Sequence, residues 1–375
     1  MKPQDRLTKG KVFLFTVLTS FMFIILVIAT AETYLRLRYH KIAGITGMNE
    51  WKEGSGSSLT FYWDRYHPVY GWTNLPGYRS DARVPFKVTI NSQGLRGQQE
   101  YSQHPAAGVR RIAVLGDSTT FGEDVDDDQT LPYYLERFIH GSEVLNFGAH
   151  GYGLDQMVLV MEREVFAYNP DHILIVLSIP PDLERTVLTG FTHPKPAFSI
   201  ENGKLVAINI PVPISLHQQF MLRHSYAAAW LFGRPREKHK DDSMILPVSR
   251  ALIEKAALLC LEADIPLTIV LIAAPAWTKL TEQDGEIKGW FDESRQMVHG
   301  IGVEVSDQID FLRQIRQQGQ DVSTEDDVHW SGRGNCLLAG NLTRELVEND
   351  PSLKLSENVP QCAPVFPTIG VMLHK

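Results

Sequence analysis

From Val109 to Asn349 the sequence alternates short apolar runs with longer segments that have helical periodicity. The run His172–Ile179 is almost continuously apolar, as expected for a strand buried on both faces of a parallel sheet. Apolar residues at i, i+4, i+7 and i+11 within 154–165 predict one face of a helix. Repeated βα units imply a parallel sheet covered by helices on both sides. The sequence therefore predicts an α/β protein with a three-layer α/β/α, flavodoxin-like architecture.

The predicted strands are short, rich in aliphatic residues and bounded by turn signals. They are Arg111–Leu115, Glu143–Phe147, His172–Ile179, Pro266–Ala273 and Gly302–Ser306. The predicted helices alternate with them, and the last begins at an N-cap serine, Ser331. Besides the helix within 154–165, they are Gln129–Ile139, Ala251–Ala263 and a segment that ends near Val347.

Three segments depart from this alternation. In about 183–246 the pattern lapses, which predicts an insertion over one end of the sheet; within it, Glu201–Lys204 contains the Asn-Gly pair that suits a type I′ hairpin turn. Residues 32–108 are rich in aromatic and turn residues and include a predicted strand, Val84–Ile90, so we expect a small β-rich module. Residues 350–375 are Pro-rich with little periodicity, which is typical of a surface tail.

The N-terminus carries a membrane signal. Val12–Ala31 is a run of 20 uncharged, mostly apolar residues, about the ~20 that a membrane-spanning helix needs. Four cations precede it and three follow it, a weak bias toward a cytosolic N-terminus, residues 1–11. Ala29–Ala31 also suits a signal-peptide cleavage site, but the apolar run exceeds a normal signal core of ~7–15 residues, which favours an uncleaved anchor. Either interpretation places the rest of the chain outside the cytosol.

The net charge of the chain bears on its partners. The 375 residues carry 36 basic and 44 acidic side chains, a net charge of −8, which argues against nucleic acid as the main partner.

The three cysteines are far apart and allow at most one disulfide, with Cys260 expected to be buried in a helix. The acidic run at 123–128 lacks the glycine and distal glutamate of a calcium loop, so we expect a solvated loop. No metal or cofactor is predicted, and the sequence leaves the oligomeric state open.

The segment Gly116–Thr119 (Gly-Asp-Ser-Thr) directly follows the first predicted strand of the sheet. In open parallel sheets, ligands bind at the carboxyl ends of the strands, so Ser118 lies where a nucleophile can act. A serine nucleophile needs a base, and the base needs a group that orients it. Asp326 and His329, three residues apart before the last helix, can set a carboxylate against one imidazole nitrogen and leave the other for Ser118. Asp327 is a second candidate for the orienting carboxylate.

The segments around Ser118 and His329 resemble motifs of a known family, the SGNH (GDSL) hydrolases. Three motifs match its nucleophile block, its second block and its terminal Asp-x-x-His block. They are Gly116–Gly122, Asn146–Gly151 and Asp326–His329, in that order. The stretches Tyr70–Gly77 and Asn91–Arg96 further resemble membrane-anchored bacterial members of this group. The resemblance covers about Val109–Asn349.

The resemblance implies acyl transfer through a covalent acyl-serine. Ser118 is the implied nucleophile, His329 the general base and acid, and Asp326 the group that orients His329. The N–H groups of Ser118 and Gly151 are the implied oxyanion donors. Water as acceptor makes an esterase, and a sugar hydroxyl makes an O-acyltransferase. The expected substrate is an esterified carbohydrate or a small ester. The favoured candidate is an O-acetyl ester on a surface polysaccharide.

One departure from the family pattern concerns its third block, Gly-x-Asn-Asp. The corresponding segment is Ile179–Asp182 (Ile-Pro-Pro-Asp), so Pro181 stands where an asparagine supplies an oxyanion donor. Loss of one such donor typically costs ~10²–10³ in rate. This departure leaves a second hypothesis open, a catalytically silent protein that binds or scaffolds polysaccharide machinery.

Three residues beside the implied catalytic positions are candidate substrate contacts. His150 adjoins the implied oxyanion glycine, and Tyr152 and Trp330 flank the second and last motifs. An aromatic ring there can stack on a sugar, although aromatic side chains are more often part of a core.

Overall fold

The computed structural model describes residues 9–39, 63–81, 84–191, 194–213, 225, 227, 241–320, 322–325, 327–357 and 362. The chain divides into two compact units. One comprises residues 1–62 and 214–235, and the other comprises residues 63–213 and 236–375. In the first unit, Ser225 and Ala227 donate hydrogen bonds to the carboxylate of Glu32.

The described part of the first unit is dominated by one helix, α1 (Lys9–Tyr39). Its segment Gly10–Leu35 has 26 residues and a mean hydropathy of 2.8. At ~1.5 Å per residue this segment is about 39 Å long, more than the ~30 Å hydrocarbon core of a bilayer. The helix predicted at Val12–Ala31 is confirmed. Its length and composition suit a single membrane span and equally suit a signal sequence, so its retention and orientation stay predictions.

The second unit contains a five-stranded parallel sheet with the order β2-β1-β3-β4-β5. Its strands are β1 (Arg110–Leu115), β2 (Ser142–Asn146), β3 (His172–Ser178), β4 (Leu267–Ile272) and β5 (Glu304–Asp307). Each lies within two residues of its predicted bounds. The strand order reverses between β1 and β3, and in such sheets the crevice outside the carboxyl ends at this point is where ligands bind.

Helices cover both faces of the sheet, which confirms the three-layer architecture. The helices after α1 are α2 (Ser118–Phe121), α3 (Leu131–Phe138), α4 (Leu154–Arg163), α5 (Pro181–Glu184), α6 (Ile245–Ala263), α7 (Gly285–His299), α8 (Ile309–Gln317) and α9 (Gly332–Asn349). In β3, Ile173 and Ile175 pack with α4, α6 and α7, whereas Leu174 packs with α3, α8 and α9. The alternation follows from the two-residue period of a strand.

The segment before β1 forms an antiparallel hairpin, Asp64–His67 with Gly71–Asn74, hereafter the N-terminal hairpin. It belongs to the same compact unit as the sheet. The strand predicted at Val84–Ile90 is wrong, because this segment forms only isolated bridges at its end. Its backbone N–H groups at Lys87 and Thr89 donate to acidic side chains of residues 126 and 127 rather than to a neighbouring strand.

The insertion contains the predicted hairpin, here Ala197–Glu201 paired with Lys204–Ile208. At its turn both Asn202 (φ 50°) and Gly203 (φ 73°) have positive φ, as a type I′ turn requires. The hairpin is confirmed. Of the predicted insertion, residues 192–193, 214–224, 226 and 228–240 lie outside the described residues.

The first residues of the predicted surface tail are mostly exposed but are attached to the domain. Backbone hydrogen bonds join Lys354 to His140 and Ser356 to Phe138, and Leu353 is buried. A disulfide between Cys336 and Cys362 ties the segment to α9, in agreement with the single disulfide that the cysteine count allows. The remaining thiol, Cys260, is buried as expected, and burial raises its pKa to about 11.

A buried ion pair fastens the start of the insertion to the first turn of α4. The ammonium of Lys195 contacts the carboxylate of Asp155, and both side chains are fully buried. Lys195 also donates to the carbonyl oxygens of Arg185 and Pro196, at 2.9 and 2.8 Å. Burial raises the pKa of Asp155 and lowers that of Lys195, while the attraction between the two charges opposes both changes.

Removing one partner of this pair should cost more than removing both. We expect Lys195→Met to lower the free energy of unfolding by ~3–5 kcal/mol, because Asp155 stays buried without its cation. The double variant Lys195→Met/Asp155→Leu should recover most of that loss. Chemical denaturation of the full chain in detergent measures both values. The exposed pair of Lys255 with Glu162 is the control, with a loss of ~1 kcal/mol or less for Lys255→Met. A double variant no more stable than Lys195→Met would contradict the account.

Candidate active site

Ser118 lies at the carboxyl end of β1, as the first residue of the short helix α2. The carboxylate of Asp117 caps this helix by accepting a hydrogen bond from the Thr119 N–H at 2.9 Å. Gly122, with φ 81°, ends the helix by donating its N–H to the Ser118 carbonyl. A Cβ at Gly116 would overlap the side chain of Thr120. The Gly-Asp-Ser sequence thus folds into a tight strand-to-helix turn with Ser118 at its tip.

His329 lies on a loop between α8 and α9 that closes back on itself. Its N–H donates to the Thr324 hydroxyl at 3.2 Å, and the Thr324 N–H donates to the His329 carbonyl at 2.9 Å. Next to it, the Trp330 indole donates to the carbonyl of Ala273, just beyond the end of β4. These bonds bring His329 to the edge of the sheet where Ser118 lies.

The structure brings the two residues into contact. His329 Nε2 lies 2.9 Å from Ser118 Oγ, and His329 Nδ1 lies 2.8 Å from a carboxylate oxygen of Asp124. Burial alone would lower the pKa of His329, but the Asp124 hydrogen bond and the nearby carboxylates of Glu123 and Asp117 raise it above its ordinary value. A hydroxyl, an imidazole and a carboxylate in this order can activate the hydroxyl as a nucleophile.

The carboxylate on His329 belongs to a residue that the sequence did not single out. Asp326 lies outside the described residues, so its role as the orienting group stays a prediction. The alternative, Asp327, is wrong, because its two oxygens bind the side chains of Lys279 and Arg316. Asp124 takes the contact instead, with a left-handed backbone at φ 65°.

The acidic run at 123–128 is not the solvated loop that we expected. Glu123 is buried, 2.7 Å from His150 Nδ1, and Asp127 forms an ion pair with the buried Arg96. Asp126 accepts a hydrogen bond from the Lys87 N–H. One feature of the sequence could have indicated a role in the site: these acids directly follow the glycine that ends the Ser118 helix. Their partners come from distant segments, which the run itself does not reveal.

The segment Asn146–Gly151, which begins at the last residue of β2, lies against the Ser118 helix. The Asn146 side chain accepts from the Gly148 N–H and donates to the Thr120 carbonyl, both at 2.9 Å. A Cβ at Gly148 would overlap the backbone of residues 120–121. Gly151 has φ 63°. Among the described residues, neither the Ser118 N–H nor the Gly151 N–H donates a hydrogen bond, so both donors remain available to an oxyanion.

Arg185 joins the three loops that follow β1, β2 and β3. Its Nη1 lies 2.8 Å from the Asp182 carboxylate, 2.8 Å from the Tyr152 carbonyl and 3.5 Å from the Asp117 carboxylate. Burial and the neighbouring Asp117 carboxylate raise the pKa of Asp182 well above its ordinary value, against the effect of Arg185. Pro181 is the first residue of α5 and carries no N–H or side-chain donor.

Two of the three candidate substrate contacts are wrong. Tyr152 is 2% exposed, and its hydroxyl donates to the Trp72 carbonyl at 2.7 Å. Trp330 is 1% exposed, so its ring also belongs to the core and offers no face to a sugar. His150 is buried beside Gly151, and its role as a substrate contact stays a prediction.

Comparison with solved structures gives distant similarity to several ester hydrolases. A lipase/acylhydrolase from Enterococcus faecalis is 15% identical over 66% of this chain and 100% of that chain, with a TM-score of 0.39. An acetyl xylan esterase is 15% identical over 63% of this chain and 99% of that chain, with a TM-score of 0.38. A two-domain esterase active on acetylated mannans is 11% identical over 68% of this chain and 54% of that chain, with a TM-score of 0.39.

No protein-family model matches the chain, and no curated protein matches it significantly. The roles proposed below therefore rest on the geometry of the site and on the sequence motifs.

The contact between Asp124 and His329 predicts how His329 titrates. Replacing the carboxylate in Asp124→Asn should lower the pKa of His329, because burial then acts with less opposition. NMR titration of the imidazole, assigned with His329→Gln, measures this change. Asp327→Asn is the matched control and should leave the pKa of His329 unchanged, since Asp327 binds Lys279 and Arg316. An unchanged pKa in Asp124→Asn, with a lowered pKa in Asp326→Asn, would identify Asp326 as the partner.

Proposed function

We propose that this protein is an exported serine esterase of the SGNH type that acts through an acyl-Ser118 intermediate. The observation that carries the proposal is the chain of contacts from Ser118 Oγ to His329 and on to a carboxylate, Asp124. Ser118 and His329 are 8% and 7% exposed, so the pair is largely shielded from water yet reachable. Such shielding strengthens the electrostatic interactions that stabilise a transition state.

In the proposed mechanism His329 takes the hydroxyl proton as Ser118 Oγ attacks the ester carbonyl. The N–H groups of Ser118 and Gly151 stabilise the oxyanion, and Asp124 orients and stabilises the imidazolium. His329 then donates its proton to the departing alkoxide, which leaves an acyl-serine. Water, activated by His329, attacks this ester and releases the acid and free Ser118. A sugar hydroxyl in place of water makes the same step an acyl transfer.

The proposed substrate is an acetylated carbohydrate outside the cytosol. The apolar helix α1 can direct the chain to a membrane, and the Cys336–Cys362 disulfide suits an oxidising compartment. Together with the sequence resemblance, these features favour a surface polysaccharide as the ester donor, and the membrane as a partner of α1.

A catalytically silent binding or scaffold protein is the second candidate. Pro181 favours it, because the position of the expected third oxyanion donor holds none. The hydrogen-bonded Ser118 and His329 favour the enzyme, because a silent protein has no need to keep this pair in contact.

Turnover of a chromogenic acetate ester by the full chain in detergent decides between the two. We expect hydrolysis and fluorophosphonate labelling by the native protein, and loss of both in Ser118→Ala, because the nucleophile is gone. The kcat/KM of the native protein should rise with pH as His329 becomes neutral, and the midpoint of the rise should lie at the raised pKa of His329. Ser199→Ala, at a half-buried position of the insertion hairpin, is the matched control and should keep activity. If the native protein shows no turnover and is not labelled, that result would favour the silent protein.

The proposed compartment has its own test. A reporter that fluoresces only in the cytosol, fused after Lys375, should stay dark in a bacterial host, because the catalytic unit is exported. The same reporter fused before Met1 is the control and should be bright if the N-terminus is cytosolic. A bright C-terminal fusion would contradict export.

A further inference from the structure

The N-terminal hairpin reaches the loop that carries the Gly151 N–H. Trp72 Nε1 donates a hydrogen bond to the His150 carbonyl at 2.7 Å, and the Trp72 side chain is fully buried. We propose that Trp72 is a positioning residue for the oxyanion site, because it orients and polarises the His150–Gly151 peptide. The inference rests on the proposed function, in which Gly151 N–H is an oxyanion donor.

Trp72 and the Gly151 N–H are linked through one peptide unit. The His150 carbonyl and the Gly151 N–H belong to the same planar trans amide, in which the C=O and N–H bonds point in opposite directions. A hydrogen bond that fixes the carbonyl oxygen therefore also fixes the direction of the N–H. Trp72 binds at the carbonyl edge of this peptide, so the Gly151 N–H points away from Trp72 at the opposite edge.

Such restraint matters because the donor residue is a glycine. Gly151 has φ 63°, a region that glycine enters readily and leaves just as readily, since it lacks a Cβ. Its own backbone therefore does little to hold the N–H in place. Because Pro181 offers no donor at the expected third position, the alignment of the Ser118 and Gly151 N–H groups matters more to the proposed oxyanion site.

The hydrogen bond also changes the donor strength of the amide. Hydrogen bonds in a chain polarise one another, by perhaps ~10–30% per bond in condensed phase. The indole donor withdraws electron density from the His150 oxygen and makes the Gly151 N–H a stronger donor. Because Trp72 is fully buried, water does not screen this effect.

The hairpin holds the loop at more than this one point. The Asn74 side chain donates to the Gly148 carbonyl at 3.0 Å. The Tyr152 hydroxyl donates to the Trp72 carbonyl, and the two rings pack edge to face with centroids 5.7 Å apart. Trp72 is thus itself fixed from the far side of the loop, as a positioning residue must be.

An isosteric substitution separates positioning from packing. Replacing Trp72 with benzothienylalanine, by nonsense suppression in the full chain, keeps the bicyclic shape and exchanges the indole N–H for sulfur. We expect kcat for a chromogenic acetate ester to fall about 10-fold with KM nearly unchanged, less than the ~10²–10³ for complete loss of an oxyanion donor. Affinity for a boronic acid that forms a tetrahedral adduct with Ser118 should fall by the same factor, while affinity for the product acetate should not.

The matched control makes the same atomic exchange at Trp290, whose indole donates to Glu184 at 2.9 Å on the surface of α7. It should leave kcat and boronic acid affinity within about twofold. An unchanged kcat at position 72 would overturn the inference, as would equal losses of boronic acid and acetate affinity, which indicate general loosening of the site. An inactive native protein would instead overturn the proposed function, so the two failures are distinguishable.

Discussion

The hydrogen bond between Ser118 and His329 joins residues that are 211 positions apart. The contact depends on a parallel sheet in which β1 and β4 end at the same edge. Ser118 follows β1 directly, and the indole of Trp330 fixes the neighbouring His329 loop to the end of β4. Because each loop is held by its own local hydrogen bonds, the contact forms between two preorganised turns rather than between flexible segments.

The charged side chains next to the Ser118–His329 contact are paired with one another. Each of the adjacent acids Glu123 and Asp124 contacts one histidine, and Arg185 bridges the loops that follow three strands. A buried carboxylate is tolerated only when it is paired and hydrogen-bonded. These contacts therefore stabilise the edge of the sheet as well as setting the protonation of His329. The N-terminal hairpin completes the same edge from the other side of the Gly151 loop.

Much of the fold could be predicted from the sequence because the signals are local. The period of apolar residues located the strands, and Asn202 and Gly203 located a hairpin turn. Ser118 and His329 were predicted because each stands in a recognisable motif at the end of an element. Asp124 and Trp72 were missed because their roles depend on partners far away in the chain. The acidic run looked solvated for the same reason.

Direct observation of the acyl-enzyme tests the central claim most sharply. Rapid acid quench of the full chain with a chromogenic acetate ester, followed by peptide mass spectrometry, measures where the acetyl group resides during turnover. The account predicts a transient acetyl ester on Ser118 that is absent in Ser118→Ala. In His329→Gln the ester formed from an activated acetate should live longer, because the base that activates water is gone. Turnover with no acetyl group on Ser118, or with the group on another residue, would contradict it.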